Sequence, residues 1–202
     1  MLEKKMNTRL FEQNTVSTHD NCWAEFSIDL EFSQTLSSAC HKLKVDHPEA
    51  VLKEPTKHHV SLLYGYCASE SEKLMEIVKR HLTSPLTLKA GEIKRGDVSP
   101  VILLAIEHSS ELDSLFHDLY ENIGNKKHTL INGKYDPHIT IAWSDQATLD
   151  AIDFTKLSNS LTGREFTLHT VFSLDEDKNG CNIVLDELSV MREAPQKIPL
   201  KK

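Results

Sequence analysis

Residues 58–66 read HHVSLLYGY and follow the turn-forming Glu54-Pro55-Thr56. From the second histidine onward the stretch has the apolar content of a buried β-strand. Yet alternation at period two sends His59 and Ser61 to one face and Val60 and Leu62 to the other. Such a strand sets an imidazole and a hydroxyl side by side and keeps a packing surface behind them. The same parity assigns Tyr64 to packing and places His58 off the polar face, at the surface.

A second stretch repeats the arrangement. Residues 135–143 read YDPHITIAW, and alternation puts His138 and Thr140 on one face with Ile139 and Ile141 on the other. By the same count Trp143 falls in packing. The bare pattern His-x-Ser/Thr is weak evidence, because a chain with 11 histidines yields such matches by chance. Two further matches show the difference. His81-Leu82-Thr83 falls at a helix end, and His108-Ser109-Ser110 falls where a strand gives way to a helix, with Ser110 read as a cap. Only the pairs at His59 and His138 lie inside strand patterns.

Outward from these strands the chain reads as two similar halves. WAEFSIDLEF (23–32) alternates Phe26, Ile28, Leu30 and Phe32 as a strand, and residues 33–48 follow as a helix. HHVSLLYGY is the next strand. Residues 69–82 form a helix with the charge order a helix dipole favours, Glu early and Lys-Arg-His late. LTLKAGEIKRG and PVILLAIEH are strands, SSELDSLFHDLYENIG is a helix, and YDPHITIAW is a strand. A weaker helix spans 145–161, and REFTLHTVFSL and CNIVLDELSVM close as strands. Each half has one strand that carries a histidine near its start. Residues 1–22 are expected to be a flexible polar N-terminus, 23–191 a single domain, and 192–202 a frayed tail.

Bulk properties narrow the function. The net charge of −7 speaks against wrapping long nucleic acid, which needs clustered Lys and Arg. The four cysteines, Cys22, Cys40, Cys67 and Cys181, have no C-x-x-C spacing, so neither a zinc ribbon nor a disulfide framework is signalled. No apolar run has the length of a membrane span, and the N-terminus lacks the apolar core of a secretory signal. The expectation is a cytoplasmic monomer with no membrane association.

HVSL and HITI, the latter preceded by Pro137, resemble the paired H-x-T/S motifs of the 2H phosphoesterase superfamily, which includes LigT-like RNA 2′,3′-cyclic phosphodiesterases and 2′,5′-phosphodiesterases. The resemblance covers roughly residues 23–191. It implies an α+β fold, bilobal and pseudo-symmetric, with two β-sheet lobes and outer helices around a central cleft. It places the catalytic histidines at His59 and His138 and the phosphate-binding hydroxyls at Ser61 and Thr140. This chain departs from the pattern with Ser in the first motif. It departs again with Ala142-Trp143-Ser144, where many LigT-like chains have a basic residue, and with Leu63-Tyr64-Gly65 after the first motif.

Two imidazoles suit general acid–base catalysis near neutral pH, and two hydroxyls suit stabilisation of developing phosphate charge. That chemistry calls for no cofactor and no metal ligand cluster. Lys57 and Lys134 precede the two motifs and are candidate phosphate contacts, and Tyr135 is a candidate base-stacking residue. His128 and His169 are assigned structural roles. The expected activity is metal-independent hydrolysis of a small ribonucleotide, either a 2′,3′-cyclic phosphate or a 2′–5′-linked oligonucleotide. Destruction of a cyclic di- or oligonucleotide immune signal is an alternative, and a catalytically idle nucleotide-binding module is a second.

Overall fold

Asp29 decides where the first strand stops. In the computed structural model of the protein, which describes residues 22–97, 99–124, 134–175 and 181–187, β1 (Cys22–Ile28) runs into α1 (Leu30–Asp46) through this one residue. Its carboxylate accepts the Phe32 N–H at 2.7 Å, an N-cap bond, and the Thr167 N–H on a distant strand at 2.7 Å. The alternation of Phe26, Ile28, Leu30 and Phe32 predicts a strand as far as Phe32. The cap ends it four residues earlier and leaves Leu30 72% exposed. Phe32 then packs on the inner side of α1 with Leu36, Ala39, Cys40 and Leu43, stacked on Phe166 at 4.7 Å.

The remaining elements are β2 (His59–Tyr66), a 3-10 turn (Ala68–Glu70), α2 (Ser71–His81), β3 (Leu86–Arg95), β4 (Val101–Ile106), α3 (Ser110–Asn122), β5 (His138–Trp143), α4 (Gln146–Ala151), α5 (Thr155–Leu161), β6 (Glu165–Asp175) and β7 (Cys181–Glu187). The single helix expected over 145–161 is two. Asp145 caps the first by accepting the Thr148 N–H, and Asp153 accepts the Thr155 N–H beyond the break, the local bonding by which Asp competes with helix continuation. Ser109, not Ser110, caps α3. The expected N-terminal segment up to residue 21, the tail, and residues 188–191 of the last expected strand lie outside the described residues.

The sheet runs β1-β2-β5-β4-β3-β6-β7, and β1 also pairs with β6, so six strands close into a ring. All recorded pairings are antiparallel. Exchanging β1 with β4, β2 with β5 and β3 with β6 maps this ring onto itself, so the two halves are related as copies. The third strand of each half crosses over: β3 pairs with β4 and β6 pairs with β1. The exchange leaves two lobes, β1, β2 and β6 in one and β4, β5 and β3 in the other, which meet along β3–β6 and at β2–β5. At the second meeting a single Cα pair is recorded, Val60 with Ile139. The architecture is α+β, with an antiparallel sheet in two halves and helices against its apolar face.

His58 corrects the reading of its position. Being off the polar face puts it in the core, not at the surface: it is 4% exposed. Its Nδ1 lies 3.1 Å from the Ser33 hydroxyl on α1, and its Nε2 has no partner among the described residues. Burial pushes this imidazole below its ordinary value, against a smaller opposite effect of Glu54.

The folded protein therefore holds His58 neutral, while the unfolded chain takes up that proton at about pH 6.5. Stability is complete above that pH and falls as the pH drops through it, until the folded imidazole itself protonates. Melting temperatures measured from about pH 7.5 to about pH 5 should decline in the wild type and decline less in His58→Leu. An unchanged slope in the variant would contradict this role.

Candidate active site

His59 opens β2 and His138 opens β5, and both are half-buried. Because Val60 faces Ile139 across antiparallel strands, counting one residue each way sets His59 across from Thr140 and Ser61 across from His138. The two histidines are thus diagonal neighbours, roughly 7–8 Å apart along the register. Two imidazoles and two hydroxyls are so placed. All four belong to the face turned away from the buried Val60, Leu62, Ile139 and Ile141.

The two rings are anchored alike. His59 Nδ1 lies 3.2 Å from the Lys57 carbonyl, and His138 Nδ1 lies 2.7 Å from the Asp136 carbonyl, each two residues upstream. A carbonyl only accepts, so Nδ1 carries the hydrogen in both rings. In the neutral ring so fixed, Nε2 carries the lone pair of each.

Matched bulges carry two aromatic residues onto this face. Between β1 and β2 the register passes from Ala24–Leu63 to Glu25–Ser61, which skips Leu62. Between β4 and β5 it passes from Ile102–Ala142 to Leu103–Thr140, which skips Ile141. Each extra residue flips the parity of the residues beyond it. Tyr64 and Trp143, assigned to packing by simple alternation, are instead 37% and 43% exposed. The Tyr64 hydroxyl bonds the Ser61 hydroxyl. Burial pushes the Tyr64 phenol above its ordinary value, so it stays protonated and able to donate. Gly65 comes next with φ 70°, a left-handed conformation suited to glycine.

Charge separates the halves. Glu25, opposite Ser61 on β1, is 4% exposed. One of its oxygens lies 3.5 Å from Lys57 Nζ, and the other lies 3.5 Å from His59 Nε2 and accepts the Trp23 indole N–H at 3.3 Å. The equivalent residue opposite Thr140 is Leu103. Beside the second motif the charges are arranged differently: Lys94 on β3 donates to both oxygens of Asp136, at 2.8 and 2.6 Å. The residue whose carbonyl anchors the ring is therefore a lysine before His59 and an aspartate before His138. Glu25 went unread in the sequence, where it is one charge inside WAEFSI. Only the strand register reveals that it faces the histidine.

The other candidates divide. Lys57 is engaged by Glu25. Tyr135 stacks on Phe116, with centroids 3.8 Å apart and planes 3° apart, and donates to the Ser61 carbonyl at 3.1 Å. One face of its ring is therefore covered, and burial raises its phenol far above the ordinary value. Lys134 lines an outer groove against α3 with His108, His117 and Glu121. His81 bonds Asp118 and ties α2 to α3, and His108 bonds Asp113. His169 is exposed, and His128 lies outside the described residues. Among the described residues no group of three or more His, Cys, Asp or Glu side chains is arranged to hold a metal ion. No helix among them is long and apolar enough to cross a membrane.

A family model described as the 2′-5′ RNA ligase superfamily matches residues 32–180. Among solved structures, Escherichia coli LigT in its apo form superposes with a TM-score of 0.53 at 15% identity, over 83% of this chain and 95% of that one. LigT complexed with 3′-AMP gives 0.52 at 15% identity over the same shares. Kluyveromyces marxianus Usb1 with uridine monophosphate gives 0.48 at 13% identity, over 83% of this chain and 99% of that one. The LigT likeness establishes the fold. No curated protein sequence matches the chain.

The Glu25 cluster separates function from stability. Removing one partner of an ion pair is costly when the other charge stays buried, but the Lys57 side chain is 46% exposed and stays solvated without Glu25, and Leu103 shows that the equivalent place accepts leucine. Glu25→Leu should keep the wild-type melting temperature or raise it, while turnover falls on the order of ten-fold, the worth of one hydrogen bond to a charged group. A large drop in melting temperature with turnover kept would make the carboxylate purely structural.

Proposed function

The chain belongs to the 2′-5′ RNA ligase superfamily, the 2H phosphoesterases, and on that premise we propose that it is a metal-independent phosphodiesterase acting on a small ribonucleotide. The substrate class is a 2′,3′-cyclic phosphate or a 2′–5′-linked oligonucleotide. One observation supports this reading above the others. Two histidines, one from each half, are locked by the same Nδ1–carbonyl bond and present Nε2 on one face beside a serine and a threonine.

The chemistry rests on that placement. One Nε2 takes a proton from water as its oxygen bonds to phosphorus, and the other Nε2 gives a proton to the departing ribose oxygen. The P–O bond to that oxygen breaks, and a phosphomonoester and an alcohol result. Ser61 and Thr140 donate to the non-bridging oxygens as their charge grows. Tyr64, by donating to the Ser61 oxygen, leaves the serine hydrogen free for the phosphate. LigT, whose fold this chain shares, has been crystallised with 3′-AMP, and a nucleotide of that size suits the face between the two motifs. Both substrate types place a ribose oxygen beside the scissile phosphate, where an acid–base pair acts without a Lewis acid.

The test is a panel of 2′,3′-cyclic nucleotides, 2′–5′ and 3′–5′ oligonucleotides and cyclic dinucleotides, with products resolved by mass. Turnover of a cyclic phosphate or a 2′–5′ linkage is the expected outcome. Exclusive turnover of cyclic dinucleotides would move the protein to signal degradation. Ligand retained without conversion would make it a binding module. His59→Ala and His138→Ala should each lower turnover about 10²–10⁴-fold, the usual share of one general acid or base, with folding intact. Activity should survive EDTA, and loss on chelation that Mn²⁺ or Zn²⁺ restores would replace this mechanism with a metal-assisted one.

A further inference from the structure

The two halves place their helices alike and pack them differently. The exchange that maps β1 onto β4 also maps α1 onto α3. It maps α2 onto the α4–α5 pair, each lying between the second and third strands of its half. α2 and α3 are stitched together. The Asp118 carboxylate meets His81 at 2.8 Å and Arg80 at 3.1 Å, Lys73 donates to the Asn122 carbonyl, and the Gly124 N–H donates to Glu70 at 2.9 Å. Their counterparts α1 and α5 share no hydrogen bond or ion pair among the described residues. The break at Asp153 leaves α5 seven residues long where α2 has eleven. A cavity of about 550 Å³ stands open between α1 and α5.

The lining of this cavity is selective. Its floor is aliphatic, with Ala39 and Leu43 from α1 and Leu157 and Leu161 from α5, all buried. No Phe, Tyr or Trp is among the described residues that line it. Three exposed cations stand around it: Lys42 from α1, Lys156 from α5 and Arg164 just beyond α5. Among the described residues no carboxylate lies within ion-pair distance of any of the three. Of the two carboxylates in the lining, Asp153 is committed to the Thr155 N–H at 2.9 Å and the Thr155 hydroxyl at 2.6 Å. It acts on Lys156 only from beyond ion-pair distance. Asp46 is the other, in the last turn of α1. The hydroxyls of Thr35, Ser38 and Ser160 already donate to carbonyls of their own helices. The cations are therefore the strong donors left over, gathered around one hollow in a chain of net charge −7.

We propose that this groove binds a small aliphatic anion, a single alkyl or acyl chain ending in a phosphate or carboxylate, with the chain on the four aliphatic residues and the head among Lys42, Lys156 and Arg164. An apolar hollow of this size with a few convergent polar groups is the usual form of a small-molecule site. The chain binds by removing apolar surface from water, and the head by charge-assisted hydrogen bonds, which Arg164 is able to make in pairs. Without an aromatic face the groove lacks the stacking platform that holds a nucleobase, so the body it suits is aliphatic. None of the histidine-face residues lines it. The site therefore stands apart from the phosphodiesterase reading and does not depend on it.

Decyl phosphate, kept below its micelle concentration and titrated calorimetrically into the full chain, tests this. One molecule should bind per chain. Decanoate compared with decyl phosphate identifies the preferred head, and neutral decanol should bind about ten-fold more weakly or worse, the worth of a hydrogen bond to a charged group. AMP, whose size suits the histidine face, should not displace the probe. Lys156→Glu and Arg164→Glu should each weaken binding about ten-fold or more, and Ser160→Trp, on the groove wall, should block it. All three positions are exposed, so melting temperatures without probe should stay at the wild-type value. Only the rise that the bound probe confers should be lost. No binding, decanol binding as tightly as decyl phosphate, displacement by AMP, or an affinity unchanged in the variants would each overturn the site.

Discussion

The contact between Val60 and Ile139 is the constraint on which the rest depends. It is the single Cα pair at which β2 meets β5, and both residues are fully buried. Everything chemical is arranged around it by parity. One step along either strand from this pair reaches a histidine, and one step the other way reaches a hydroxyl. Had the strands paired along their length, the histidine face would be an ordinary sheet surface. Had they not paired at all, nothing would hold the two imidazoles beside each other.

The sequence carried the two histidine strands, the order of elements and the repeat, because each depends on local periodicity. His59, Ser61, His138 and Thr140 were legible for the same reason. Tyr64 and Trp143 were not. Alternation counts residues within a strand, whereas a bulge is a mismatch between two strands and leaves no mark in either one alone. Glu25 was hidden in the same way, since its meaning comes from lying across from Ser61. His58 was misplaced by treating the face opposite the site as solvent, when that face is the core. Asp29 was missed as a cap because Leu30 and Phe32 continued the strand rhythm beyond it.

The repeat is faithful in backbone and unfaithful in charge. Both rings take the same carbonyl anchor, and both strands bulge at the same step. The charges, however, differ: Lys57 before the first histidine meets Glu25 of β1, whereas Asp136 before the second meets Lys94 of β3, and Leu103 stands where Glu25 has its counterpart. Identical fields at the two histidines would make them interchangeable. A phosphodiester is not symmetric about its phosphorus, since one oxygen enters and another leaves. On the proposed phosphodiesterase reading, unequal surroundings would suit one histidine to each side.

The exchange of third strands between the halves makes each depend on the other. Neither half closes a sheet alone: β1 keeps β2 but loses its other neighbour without β6, and β4 keeps β5 but loses its other neighbour without β3. A lone half would expose those unpaired edges, an invitation to association. Two identical halves meeting edge to edge would satisfy each other and rebuild the same six-stranded ring about a true two-fold axis, with one histidine and one hydroxyl from each. The strand order has the symmetry such a pair would have, within a single chain. Within one chain the two copies need not be identical, and the different charge pairs beside their histidines use that freedom.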